Sequence, residues 1–332
     1  MSKLEMGLGL FPTEPPKQIV ETVQLAEELG YTHAWIGDSQ LIWREAYVNL
    51  GAAGLATSRI TLAQGVTNPI TRHATVTASA LATLAELTGG RVALGIGAGD
   101  SSVETFGERP AKLSRLRDTV GTIRGLLAGE RVDVGTGEAR LDWAEPLRIP
   151  LFIAGSGPRI LGLAGEIADG AIILVGTAPE QVRAAIACIH EAAEGAGRDL
   201  NADGFRFVLW APCSISKDGT AARDFVKSHV ARVLKRPLPF ALNAEDQAVV
   251  DEVYRRYEYY QHMVVGAGHS EIVPERIVSK FAIAGTVADC REQVRALEDT
   301  GLHQIAIIPH TPDPASRRDM VATFAREVMA AV

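Results

Sequence analysis

The sequence has little cysteine. Cys188, Cys213 and Cys290 are its only three, far apart and odd in number. A disulfide framework is not expected from them; reduced thiols in a cytoplasm are. No apolar run approaches the roughly 20 residues that a membrane-spanning helix needs. The opening Met1-Ser2-Lys3-Leu4-Glu5 lacks the apolar stretch of a secretory signal, so a cytoplasmic protein without a membrane partner is expected. Lys and Arg form no cluster, and the formal net charge is -7. That balance argues against nucleic acid as the main partner. No HxH or HExxH spacing occurs, so no metal site is expected. No GxSxG elbow occurs either. Gly95-x-Gly97-x-Gly99 has the wrong spacing for the GxGxxG dinucleotide turn.

The 332 residues are 47% apolar, enough for one large core. Short β-rich runs alternate with amphipathic helical stretches. Strands are expected at Met6–Phe11, His33–Gly37, Ile60–Gln64, Arg91–Gly97, Pro150–Ala154, Gly170–Val175, Phe205–Ile215 and Gln304–Pro309. Helices are expected between them, from Pro16–Leu29 to a closing helix Pro314–Ala330, with Arg131–Leu141 as a small hairpin. Runs such as Ala171-Ile172-Ile173-Leu174 and Ile305-Ala306-Ile307-Ile308 are apolar on both faces, as a covered parallel sheet requires. Eight strand–helix units predict a single α/β domain, a (β/α)₈ TIM barrel; a doubly wound open sheet competes on strand count alone. Residues 220–285 break the rhythm as an insertion between strand 7 and strand 8. They carry Pro237-Leu238-Pro239 and the aromatic patch Tyr254, Tyr257, Tyr259 and Tyr260. Such an insertion reads either as a lid or as a helical hairpin packed on the barrel's side.

In a barrel the loops after the strands form the active site. Strand 2 is followed by Asp38-Ser39 and then Trp43, strand 3 by Gly65-Val66-Thr67-Asn68 and then Thr71-Arg72-His73. Strand 4 is followed by Gly97-Ala98-Gly99-Asp100-Ser101-Ser102, strand 5 by Gly155-Ser156-Gly157-Pro158, strand 6 by Gly176 and strand 8 by His310. Glycine lets a backbone approach a ligand, and helix N-termini attract anions. The Gly155 loop opens its helix at once and is the better phosphate candidate. Asp38 is either a helix cap or a carboxylate that orients a cofactor or moves a proton. His73 sits where it can cap the next helix.

Three segments carry a family resemblance: Gly65-Val66-Thr67-Asn68-Pro69-Ile70-Thr71-Arg72-His73, Arg91 to Asp100, and Ala154-Gly155-Ser156-Gly157-Pro158. The chain resembles the bacterial-luciferase-like superfamily, and within it the branch of methylenetetrahydromethanopterin reductases and related deazaflavin-dependent oxidoreductases. The resemblance implies a (β/α)₈ barrel, coenzyme F420, and a non-prolyl cis peptide at Gly65-Val66 that backs one face of the deazaflavin ring. It places Asp38 beside the ring, Thr67 and Asn68 at the ring edge, and Gly97, Ala98, Gly99, Gly155, Ser156, Gly157 and Gly176 along the cofactor. Asp100 matches a Glu that acts as an acid in a sugar-phosphate-oxidising member, while Ser39 stands where that member has its basic His. Sugar-phosphate oxidation is therefore not expected.

The leading expectation is hydride transfer between F420 and a small organic substrate, with Asp38, Ser39 and Asp100 as candidate catalytic residues. Trp43, Phe106 and His310 are the candidate substrate pocket. A reduced-FMN monooxygenase of the same fold is the alternative, and a non-catalytic flavin-binding relative the second. A flavin or F420 reductase as electron supplier and a homodimer packed through helices 2 and 3 are the expected partners. The small face Ala52-Ala53-Gly54-Ala56 suits either a dimer or packing on the barrel.

Overall fold

The computed structural model describes residues 4–135, 137–257, 264 and 266–332, with His269 described by its backbone only. Tyr259 and Tyr260 of the expected aromatic patch lie outside the described residues.

The strands are β1 (Glu5–Leu10), β2 (His33–Ile36), β3 (Thr61–Thr67), β4 (Val92–Ile96), β5 (Val132–Asp133), β6 (Glu138–Ala139), β7 (Leu151–Gly155), β8 (Gly170–Ile173), β9 (Arg206–Ile215), β10 (Ile283–Gly285) and β11 (Gln304–Pro309). The helices are α1 (Pro16–Glu28), α2 (Ala46–Ala56), α3 (Ala74–Thr88), α4 (Ser101–Glu104), α5 (Leu113–Leu127), α6 (Pro158–Ile167), α7 (Pro179–Gly195), α8 (Gly219–Leu234), α9 (Ala244–Arg256), α10 (Glu275–Phe281), α11 (Val287–Leu297) and α12 (Arg317–Thr323). Eight strands close on themselves in the order β1-β2-β3-β4-β7-β8-β9-β11, all neighbours parallel, with β11 returning to β1. Closure excludes the open doubly wound sheet. β5 and β6 form the expected antiparallel hairpin off the ring.

Local chemistry sets the boundaries. Pro16 starts α1, and Gly89 ends α3 with φ 65°, a left-handed stop that glycine adopts without a Cβ penalty. His73 caps α3, as its position suggested, by accepting from the Thr75 N–H. The closing helix is less regular than its sequence implies. It starts as a 3₁₀ turn at Pro314–Ser316 and widens into a π turn at Phe324–Val328 after α12.

The core has two layers. Leu, Ile and Val from the outward faces of the strands pack under the ring of helices. Inside the barrel lies a separate cluster in which Trp35, Phe152 and Trp210 alternate with Ala63, Ala93 and Ala306. Large rings on some strands are matched by alanine on β3, β4 and β11, and Ile172, Val208 and Ile308 complete the interior. Trp35 meets Phe152 edge-on at 5.3 Å and donates its indole N–H to Gln304 Oε1 at 2.9 Å. Trp210 lies 6.5 Å from Trp35 and reaches the cavity above, so the packed barrel forms a solid floor for that cavity.

The insertion after β9 holds α8, α9, α10 and β10. Its helices build a core of their own from Val226, Val230, Val253, Ile277 and Phe281. β9 is ten residues long because its end pairs β10, with Cys213 opposite Ile283. The three residues of β10 are too few to show a sequence period.

Candidate active site

The strand-end loops of β2, β3, β4 and β7 surround a cavity of about 780 Å³, closed on its far side by the insertion. β3 runs past the expected end at Gln64, through a register shift, to Thr67. The Gly65-Val66 peptide is cis. Val66 faces the cavity, and a Cβ on Gly65 would lie 2.7 Å from the Trp210 ring. The chain therefore crosses directly over the barrel floor there, and only glycine fits.

Asp38, Ser39, Trp43, Asp100 and the expected glycine loops all line this cavity. Three expected residues do not. Gly176 sits below the rim, where its φ of 108° turns the chain against Gln181 and Lys280. Phe106 is 43% exposed and lines a separate surface groove with Leu41 and Arg72. His310 is buried behind His229, which takes its place at the cavity wall.

The carboxylates that line the cavity are committed to partners. The carboxylate of Asp38 accepts from Arg72 Nε at 2.9 Å and Nη2 at 3.2 Å, and from Thr67 Oγ1 at 2.9 Å. Arg72 also reaches Glu45 and lies 4.7 Å above the Tyr47 ring. Burial alone would depress the Arg72 guanidinium, but Asp38 and Glu45 outweigh it and hold the charge firmly in place. The capping alternative for Asp38 is not what forms: Glu45 caps α2, accepting from Val48 N–H at 2.6 Å. Ser39 Oγ shares a hydrogen bond of 2.8 Å with Ser101 Oγ. The Asn68 side chain donates to Thr71 Oγ1 and Ser102 Oγ and accepts from the Ile70 and Thr71 N–H groups. With both amide hydrogens and both lone pairs used, it holds the loop and has no group left for a ring edge.

Asp100 is no free acid. Arg232 and Arg236 of the insertion both grip it, with Arg232 Nε at 3.1 Å, and Arg232 also reaches Glu104 at 3.3 Å. This clamp ties α8 to the loop after β4. His229, Arg232, Lys235 and Arg236 recur at steps of three and four, so they fall on one face of α8 and its C-terminal turn, and all four line the cavity. Sequence reading missed them. The signal was there: three cations and a His at helical spacing in an otherwise apolar stretch.

The α6 end is built for an anion. No side chain caps α6, so its first-turn N–H groups open towards the cavity, and a Cβ on Gly157 would come 3.2 Å from Pro237. Arg159 on its first turn makes no ion pair among the described residues, and Arg236 Nη1 is a buried donor without a hydrogen-bond partner. Among the described residues, Arg159, Arg232, Lys235 and Arg236 line this end of the cavity together with the carboxylates Asp100 and Glu104. Among the described residues no group of three His, Cys, Asp or Glu side chains is gathered as a metal would need. No helix among them is long and apolar enough to cross a membrane.

The sequence profile of the luciferase-like monooxygenase family matches residues 4–304. The chain belongs to this luciferase-like family. It is 28% identical to 5,10-methylenetetrahydromethanopterin reductase of Methanolobus tindarius over 98% of this chain and 100% of that one. It is 27% identical to F420-dependent glucose-6-phosphate dehydrogenase of Nakamurella multipartita over 95% and 92% of the two chains. The solved coenzyme F420-dependent tetrahydromethanopterin reductase of Methanopyrus kandleri superposes with a TM-score of 0.78 at 24% identity, covering 99% of both chains, and so has the same luciferase-like fold.

Proposed function

We propose that this protein is an oxidoreductase that binds coenzyme F420 in the strand-end cavity and acts on a small organic substrate. The observation that carries the reading is the pairing of an apolar platform with an anion cradle in one cavity. Gly65 against Trp210, with Val66 beside it, offers an apolar wall to a planar ring, and the uncapped N-terminus of α6 with Arg159 and Arg236 suits a phosphate. When bound, F420 supplies or accepts a hydride. The chain's own residues position the ring, exclude water and carry the cofactor's negative tail. Asp38, hydrogen-bonded by Arg72 and Thr67, would lie beside the ring and holds Thr67 in place. Ser39, hydrogen-bonded to Ser101, leaves no base at the position where a sugar-phosphate oxidase of this family has its His. The F420-dependence of the Nakamurella multipartita relative supports the cofactor; the substrate is left to the pocket.

A crystal structure of the F420 complex tests this. The ring is expected against Val66 with the phosphate at the first turn of α6. A ring bound outside the strand-end cavity would contradict the reading. The insertion walls the cavity through α8, so we assign it the role of a substrate wall within a single domain.

We also propose that a second copy covers α2 and α3. Ala53 and Gly54 are buried on the barrel, but Val48 (63%), Leu55 (75%) and Val76 (53%) are exposed on the outer face. Exposed large apolar side chains grouped on neighbouring helices mark an interaction surface. Sedimentation is expected to show a dimer, and Leu55→Glu to shift it to monomer. A monomeric wild type would contradict the proposal.

A further inference from the structure

We propose that the hydroxyls of Ser39, Ser101 and Ser102 form a subsite for the imide edge of the cofactor ring, the C=O, N–H and C=O that follow one another along it. The proposal rests on the F420 reading above and adds the residues that fix the ring within its plane.

The side chains at the end of β3 have no donor left for that edge. Thr67 donates its hydroxyl proton to Asp38 Oδ2 at 2.9 Å. Asn68 gives one amide hydrogen to Thr71 Oγ1 at 2.9 Å and the other to Ser102 Oγ at 3.0 Å. A ring laid against Gly65 and Val66 therefore takes its edge donors from another loop. The Asn68 contact shows which. Asn68 stands two residues beyond Val66 and its amide lands on Ser102, so the loop after β4 begins where the apolar wall ends. A Cβ on Gly99 of that loop would lie 3.7 Å from the Asn68 Cβ.

Three serines gather there, and all of them line the cavity. Ser39 is 3% exposed, Ser101 4% and Ser102 5%. A hydroxyl has one proton to donate and two lone pairs. Ser39 Oγ and Ser101 Oγ share one hydrogen bond of 2.8 Å, whichever of them donates. Two protons with one bond between them leave one proton over. Ser102 Oγ accepts from Asn68, and its own proton has no acceptor among the described residues. The cluster thus offers two O–H donors, each on an oxygen that keeps a lone pair. Two carbonyl acceptors flanking an N–H are the complement of that set.

The cluster is fixed by its own bonds. Gln40 Nε2 donates to the Ser102 carbonyl at 3.1 Å and joins the loop after β2 to the loop after β4. The Ser39 carbonyl accepts from the Ile42 and Trp43 N–H groups at 3.0 and 2.8 Å. The Ser101 carbonyl accepts from Thr105 Oγ1 at 2.6 Å. Donors already held in place lose little freedom when a ring binds. Charge agrees with geometry. Asp38 precedes Ser39 and Asp100 precedes Ser101, and both carboxylates carry guanidinium partners. The hydroxyls therefore lie beside ion pairs rather than bare charges, a setting that suits an uncharged, dipolar edge.

The test compares wild type, Ser102→Ala and the double variant Ser39→Ala/Ser101→Ala. By F420 fluorescence titration, each variant is expected to bind about 3- to 10-fold more weakly, the scale of one hydrogen bond. The deazaflavin ring without its tail is expected to lose the same factor, because the contact is to the ring. Infrared difference spectra read the bond itself. The imide C=O stretches of bound F420 are expected at higher frequency in both variants, since a carbonyl that loses a donor stiffens. Unchanged C=O stretches in both variants would overturn the proposal, whatever the affinity. If the variants do not fold, wild type decides: bound-ring C=O stretches as high as those of the ring in an aprotic solvent would overturn it. Wild type that binds FMN in place of F420 would overturn the cofactor reading alone. FMN has the same imide edge, so the serine variants are then read on FMN by the same criterion. Wild type that binds neither ring would overturn both.

Discussion

Replacing Arg72 by methionine is expected to cost about 3–5 kcal/mol of folding stability, the scale for removing one partner of a buried ion pair. The reason is the carboxylate left behind. The Asp38 side chain is 3% exposed and makes two hydrogen bonds to Arg72, so without the guanidinium a buried charge keeps only the Thr67 hydroxyl. Methionine retains apolar bulk against the Tyr47 ring, so lost packing is a small part of the effect. Adding Asp38→Asn to Arg72→Met is expected to recover much of the loss, because the amide needs no counter-charge. Chemical denaturation of the four proteins of this cycle checks it. A loss below about 1 kcal/mol for Arg72→Met would place this pair among exposed salt bridges and contradict the account.

Joint replacement of Arg159 and Arg236 by methionine is expected to weaken F420 binding by roughly 10- to 100-fold. A hydrogen bond to a charged group contributes about 1.5–3 kcal/mol, and about 1.4 kcal/mol is tenfold in affinity. Arg236 Nη1 is buried without a partner and Arg159 stands on the uncapped first turn of α6, so a bound anion gives both a partner. Arg232 keeps its two-pronged contact with Asp100 in the double variant, so α8 stays docked. The control is the same deazaflavin ring without its phosphate-bearing tail. Its weaker binding is expected to be equal in wild type and variant. Equal loss for both ligands would mean that the cavity had collapsed rather than lost an anion contact.

The barrel was legible because its signal is local and repeated. Runs such as Ile305 to Ile308 and stops such as Gly89 each fix a boundary without knowledge of distant residues. The strand-end glycine loops were legible for the same reason: a loop between a strand and a helix has only one place to go in a barrel. Chemistry that depends on distant pairs was not. Nothing near Asp38 in the sequence says that Arg72, 34 residues on, will neutralise it. Asp100 is met by Arg232 and Arg236, across more than a hundred residues, and that contact turns a candidate acid into a structural clamp. Gly176 was misread because a glycine after a strand serves a turn as readily as a ligand. His310 stands at the expected strand end but one layer deeper than the pocket wall, because α8 puts His229 in front of it.

The central claim is that this luciferase-like cavity is an F420 site, and direct titration with F420 and separately with FMN tests it most directly. Both ligands carry a planar ring and a phosphate, so each would probe the same platform and cradle. Micromolar or tighter F420 binding with negligible FMN affinity is the predicted result. Tight FMN binding, together with oxygen consumption when reduced FMN is supplied, would contradict it and make the protein a monooxygenase of the same fold.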